Sequence, residues 1–214
     1  MPRVEHRGDA TPFLPERPSL SSLREAARGC RGCHLYAPAT QTVFGEGLKR
    51  AQVTMVGEMP GDREDRAGKP FVGPAGRELD RALEAVGIDR ADVYVTNVVK
   101  HFKFEERGKR RIHQTPKRGE VDACLPWLRA ELEVVRPRVL VLLGATAGKA
   151  LLGSSFTLTP ARGAPIDSDL AELVTATAHP SAILRAPTDE ARHAETERFI
   201  DDLKKIWAAI SAAA

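Results

Sequence analysis

The sequence predicts an α/β protein, a three-layer α/β/α arrangement around a central, mostly parallel four-stranded sheet. Short apolar, β-branched runs recur at AQVTMVGE (51–58), DVYVTNVVK (92–100), RVLVLLG (138–144) and ELVTATAHP (172–180). Each is bounded by turn-forming or charged residues, as buried strands are. Helical patterns lie between them, and strands that alternate with helices build a parallel sheet covered on both faces. Ligands of such sheets sit beyond the carboxyl ends of the strands. That rule singles out Gly57, Glu58, Asn97, Gly144, His179 and Pro180.

Along the chain, residues 1–18 are rich in proline and charge, lack apolar periodicity, and are expected to form a flexible arm. The remainder, 19–214, reads as one domain, because no composition shift or internal repeat divides it. SLSSLREAARGC places Ser19 ahead of a short helical run and Gly29 after it, which are start and stop signals. GPAGRELDRALEAVGI puts Leu79, Ala82, Leu83 and Val86 on one helical face, and EVDACLPWLRAELEVV and ATAGKALLG carry similar stripes. A run from Thr188 to Ala212 reads as the closing helix.

Composition narrows the function classes. The 214 residues include 42% hydrophobic residues, and no stretch reaches the roughly 20 consecutive apolar residues of a membrane span. The N-terminus has no apolar core of a signal peptide, so a reducing, cytoplasmic compartment is expected, and three cysteines there are not a disulfide framework. A net charge of +3 permits nucleic acid as a partner without demanding it.

Three stretches carry chemistry. GEMPGDREDRAGKPFVGPAG (57–76) holds five glycines and three prolines between a strand and a helix. It reads either as a structured turn or as a loop that brings backbone amides to an oxyanion. It matches neither the P-loop nor the dinucleotide-binding fingerprint. KHFKFEERGKRRIHQTPKR (100–118) sets eight Lys/Arg against two Glu, with two Phe interleaved and His113 within the basic run. Either a solvated basic loop or a functional one fits it, since loops of this length are uncommon in compact domains. Cys30-x-x-Cys33 suits a metal or cluster, with Cys124 as a third thiolate. The fourth position is open to His34, His101 or a non-protein ligand; buried thiols or a redox pair are the plainer readings.

Taken together, GEMPG-D-x-E-D-x-x-G-x-PFVGPAGR-x-LD, YVTNVVKHFKF, GKRRIH, LLGATA-x-KALLG and HPS-x-x-LR resemble the uracil-DNA glycosylase superfamily. The chain is similar to its iron-sulfur family 4 and, through GKRRIH, to the UdgX subgroup. The resemblance runs from about Cys30 to the C-terminus. It implies a [4Fe-4S] cluster on Cys30, Cys33, Cys124 and His101, the histidine standing where family 4 has a fourth cysteine. It implies uracil-containing DNA as the partner, single-stranded or flipped from duplex, bound by a bacterial monomer associated with the nucleoid.

The same resemblance assigns roles. Phe71 stacks on the base, Asn97 reads O4 and N3–H, and His179 donates to O2. Glu58 supplies the anion beside the developing oxocarbenium ion, and His113 attacks C1′ to leave a covalent adduct. Asp62 and Met59 line the substrate side, Met59 standing where the subgroup has glutamine. Asp65 with Arg111 is expected to pin the loop. DNA contacts are expected from Lys109, Arg110, Arg111, Ser181 and Arg185, with Ile183 or Leu184 as a wedge. Two rivals stand beside this reading: a hydrolytic family 4-type enzyme in which His113 only touches DNA, and a non-catalytic iron-sulfur DNA-binding module.

Overall fold

The structure, a computed structural model, describes residues 8–212. Its sheet has five strands in the order β2-β1-β5-β7-β6. These are β1 (Val53–Gly57), β2 (Val93–Asn97), β5 (Val139–Leu143), β6 (Pro165–Ile166) and β7 (Leu173–Thr177). A separate hairpin pairs β3 (Phe104–Arg107) with β4 (Arg110–His113). β1, β2, β5 and β7 run parallel, and β6 is antiparallel to β7. The four expected strands are present; the fifth was missed because two residues beginning with proline give no periodic signal.

Alternation along the strands assigns each face. Val53, Met55, Val139, Val141 and Leu143 enter one core with Leu79, Leu83, Phe199 and Leu203. Val56, Leu140 and Leu142 enter the other with Leu23, Trp127 and Leu128. The first layer is therefore α3 (Pro74–Ala85) and α8 (Asp189–Ala212), and the second is α1 (Leu20–Ala27), α4 (Arg118–Val135) and α5 (Ala145–Leu152). Three short helices, α2 (Asp62–Ala67), α6 (Leu158–Ala161) and α7 (Ser181–Leu184), belong to the connections. Ser19 caps α1 as its sequence indicates, accepting from the Ser22 N–H at 3.1 Å.

Two expectations change. Of the arm expected at 1–18, residues 1–7 lie outside the described residues. Beyond them Ala10 is buried and its N–H donates to the Ala123 carbonyl at 2.9 Å, so this part packs on α4 instead of moving freely. The basic stretch 100–118 is not an open loop, because its centre folds as the β3–β4 hairpin. Charge masked the period-2 pattern there; Gly108, at φ 60°, supplies the turn.

The outer edge of β2 is covered by the chain before β1. Val95 and Glu46 exchange backbone bonds at 2.8 and 2.9 Å, and the Val43 N–H donates to the Lys100 carbonyl at 2.8 Å. No helix among the described residues is long and apolar enough to cross a membrane.

Gly76, in the first turn of α3, lies so close to the Phe71 carbonyl that a Cβ there would overlap backbone. Gly76→Ala should therefore destabilise by about 1–3 kcal/mol in urea denaturation, the usual cost of overpacking. Gly119→Ala, where nothing lies within 4 Å, should be neutral or stabilising by up to about 1 kcal/mol.

Candidate active site

The parallel strands bring their carboxyl ends to one cleft of about 940 Å³. β1 is flanked by β2 on one side and β5 on the other, so the chain reverses its winding direction between β1 and β5. Such a switch point opens a crevice for a ligand. Glu58 follows β1, Asn97 ends β2, Thr146 lies in the first turn of α5 after β5, and His179 follows β7. All four line the cleft, as do Phe71 and His113. Sequence distance between them exceeds a hundred residues, and topology alone closes it.

Asn97 is buried at the cleft floor. Gly57 lies beneath it, and any Cβ at Gly57 would strike both the Asn97 amide oxygen and the Phe71 ring. Glycine is required there by close approach of two side chains. Phe71 has a left-handed backbone, φ 55°, which turns its ring into the cleft; the ring stacks on His179 with centroids 6.0 Å apart and planes 30° apart.

His179 has its tautomer set by its neighbours. Nδ1 accepts the Ser181 N–H at 3.2 Å and lies 2.8 Å from the Ser181 hydroxyl. Ser181 Oγ in turn accepts from Arg185 at 2.8 Å. With Nδ1 an acceptor, Nε2 carries the proton. Burial, then the positive charge of Arg185 and the neighbouring His113, pushes His179 down to about 4, so the ring is neutral near pH 7.

Glu58 faces two partners. Its Oε2 accepts from the Thr146 hydroxyl, and its Oε1 lies 3.5 Å from His113 Nε2. The second distance is an ion-pair separation, longer than a formed hydrogen bond. Burial lowers the His113 pKa below its ordinary value and Arg185 lowers it further, against the pull of Glu58. A neutral imidazole thus stands beside a carboxylate at the mouth of the cleft.

The hairpin that carries His113 is held by Arg111. Its guanidinium donates to Asp65 at 2.7 Å, to Thr40 at 3.1 Å and to Asp62, and lies 4.9 Å from the centre of the Phe104 ring. Asp65 is fully buried and also accepts the Thr40 N–H at 3.0 Å. Against the opposing effect of burial, Asp65 and Asp62 raise Arg111. Burial likewise opposes the shift at Asp62, whose carboxyl Arg66 and Arg111 hold below its ordinary value. The pair expected to pin this segment is in place, with Asp65 fully buried and Arg111 partly so. Arg111 was also expected to touch DNA; in the structure its guanidinium is 13% exposed and engaged by Asp62, Asp65 and Thr40.

Asp62 lines the cleft but spends its oxygens on Arg66 and Arg111. Met59 also borders the cleft, with its side chain in the apolar core. Lys109 and Arg110 are exposed at the hairpin tip, and Ser181 and Arg185 stand at the cleft wall with Leu184, 39% exposed. Ile183, the alternative wedge, is buried in the core. Thr146 was not singled out in the sequence; its signal was position, two residues past Gly144 at a strand end.

The three cysteines are free thiols drawn from the end of α1, the following loop and α4. Cys30 Sγ accepts from Trp127 Nε1 at 3.2 Å and from the Gly32 N–H at 3.4 Å, and Cys124 Sγ accepts from the Lys100 N–H at 3.2 Å. Burial above all raises the Cys124 thiol to about 12, with Cys33 and Cys30 adding to the rise. His101 is buried with Nε2 3.0 Å from Thr42 Oγ1. The Thr42 hydroxyl gives its hydrogen to the Ala27 carbonyl at 2.8 Å, so His101 Nε2 is the donor and Nδ1 keeps the lone pair. His34 lies elsewhere, 3.2 Å from Glu120. No three His, Cys, Asp or Glu side chains among the described residues gather tightly enough for a single metal ion.

Known proteins resemble the chain over most of its length. A chain from Thermotoga maritima described as a type-4 uracil-DNA glycosylase is 40% identical over 187 residues, covering 87% of this chain and 92% of that protein. Type-4 uracil-DNA glycosylases from Pyrobaculum aerophilum (38% over 175 residues, 78% of this chain and 86% of the relative) and Archaeoglobus fulgidus (35% over 196 residues, 88% and 92%) are similar in the same way. Residues 44–204 match the sequence pattern of the Uracil DNA glycosylase superfamily, and on that span together with these relatives the chain belongs to that superfamily.

Proposed function

We propose that this protein excises uracil from DNA as a repair glycosylase, and that His113 then captures the deoxyribose covalently. The observation that carries the reading is the His113–Glu58 pair at 3.5 Å across a cleft lined by Phe71, Asn97 and His179. A flipped uracil stacks on Phe71. The Asn97 amide presents an acceptor to N3–H and a donor to O4, a pairing that cytosine meets only if the amide turns over. His179, neutral and protonated on Nε2, donates to O2 as negative charge gathers there.

Cleavage breaks the C1′–N1 bond, and its electron pair leaves on uracil. The Glu58 carboxylate, held by Thr146, steadies the positive charge that develops on the sugar. One imidazole nitrogen of His113 forms the new bond to C1′ with its lone pair, and the imidazolium proton passes to Glu58. Arg185, Lys109 and Arg110 meet phosphates, while Leu184 enters the stack. Similarity to type-4 enzymes supports a second reading, in which water attacks C1′ and the abasic product is released.

The donor set fits an iron-sulfur cluster. N–H groups are aimed at the sulfurs of Cys30 and Cys124, a usual setting for cluster ligands. Cys30, Cys33 and Cys124 would hold the cluster together with His101 Nδ1. When bound, such a group clips α1 and α4 to the segment leading into the hairpin.

A denaturing gel of the protein with uracil-containing single-stranded DNA tests the central claim. A heat-stable protein–DNA band should form, and His113→Ala should abolish it; no band with the wild-type chain, but an alkali-labile product, would establish hydrolysis instead. Adduct formation should fall on the acid side with a midpoint below 6.5, the ordinary histidine value, because burial lowers the His113 pKa and so favours the neutral nucleophile. Rapid-quench rates on either side of that midpoint check the sign. Cys124→Ser should lose iron, measured by metal analysis, and lower the melting temperature.

A further inference from the structure

Beneath the base pocket lies a buried charged group that the excision chemistry does not use. Lys100 and Glu131 have side chains 1% and 0% exposed and form an ion pair. The Lys100 ammonium also donates to Thr96 Oγ1 and to the Asn97 backbone carbonyl, each at 2.7 Å. Glu131 is saturated in turn: Oε1 accepts from the Tyr94 hydroxyl at 2.8 Å and the Gly45 N–H at 3.0 Å, and the Thr96 hydroxyl lies 3.0 Å from both oxygens.

Such a pair is costly to bury. Desolvation takes several kcal/mol per ion, and well-packed apolar residues of similar volume commonly serve a fold as well or better. Stability therefore does not account for it. What an apolar pair cannot do is hold the Asn97 carbonyl. That carbonyl belongs to the last residue of β2, where the sheet ladder ends and where the side chain faces the cleft.

We propose that Lys100, fixed by Glu131, is a positioning residue for Asn97: it sets the Asn97 peptide plane and thereby the angle at which the amide meets the uracil edge. The inference rests on Asn97 as the base reader. Lys100 touches no substrate and acts only through its neighbour.

The test compares the full-length wild-type chain with Lys100→Met/Glu131→Gln and Asn97→Ala. Glutamine at 131 still accepts from Tyr94 and Gly45, and the double variant leaves no unpaired charge. Three quantities are read: melting temperature, affinity for uracil-containing DNA, and inhibition by free uracil in single-turnover excision. The double variant should melt near the wild type and bind DNA alike, yet need at least about tenfold more uracil for inhibition and excise about 10- to 100-fold more slowly, as displacement of a reacting group by about 1 Å does. Wild-type inhibition and rate in the double variant would overturn the proposal, because the pair would then be structural only. If Asn97→Ala leaves uracil inhibition unchanged, the base-reading role of Asn97 fails first and this inference with it. Lys100→Leu/Glu131→Met is a second neutral replacement, read the same way. A pair that neither replacement can substitute without unfolding is a structural necessity, which also overturns the proposal.

Discussion

Four parallel strands can end on one line only if every return crossing is made outside the sheet, and this constraint governs the molecule. The crossings are the helices of the two outer layers, so the carboxyl ends are left to the segments that lead into those helices. Four cleft-lining side chains, Glu58, Asn97, Thr146 and His179, lie at a strand end or within three residues of one. Glu58 and Thr146 meet across the crevice between β1 and β5, where the winding direction reverses. A small shift in the register of either strand would separate them, so the register of β1 against β5 is part of the site.

The element outside that logic is the hairpin. It hangs on the link from β2 to α4, and among the described residues no sheet pairing ties it to the core. Its hold is electrostatic and aromatic: one guanidinium between two carboxylates, layered on Phe102 and Phe104. Removing Asp65 would leave the guanidinium with Asp62 and Thr40 alone and free the Thr40 N–H, so the hairpin would be held by its more exposed partners. Part of the basic character of the GKRRIH segment is thus structural. The other part, Lys109 and Arg110 at the exposed tip, remains available to phosphate.

How much of this was legible in the sequence depends on the signal each residue carries. The strands were readable because Val53–Gly57 and Val139–Leu143 are unbroken apolar runs, buried on both faces. Glu58, Asn97 and His179 were readable by position at strand ends and by the motifs around them. The hairpin was not, since its residues are mostly charged and alternate in partner instead of polarity. Arg111 could not be separated from Arg110 by composition; burial by Asp65 is a tertiary fact. Glu131 looks like any helix glutamate, although it shares a helical face with Leu128 and Val135, both buried. Polar residues on an apolar face are the trace that buried networks leave in a sequence.

Phe71 has a wider consequence. A phenylalanine at φ 55° is in a region that costs a non-glycine residue on the order of 1–3 kcal/mol, and the close approach of Gly76 to its carbonyl keeps it there. Glycine at 71 would relax that backbone, yet it would also delete a ring that is 7% exposed and belongs to the same core as Leu79, Leu83 and Val141. Loss of a buried phenylalanine side chain costs about 3–5 kcal/mol, more than the strain it relieves. The ring that borders the cleft is therefore also a keystone of the core, and a library selected only for heat tolerance would retain it together with Gly76.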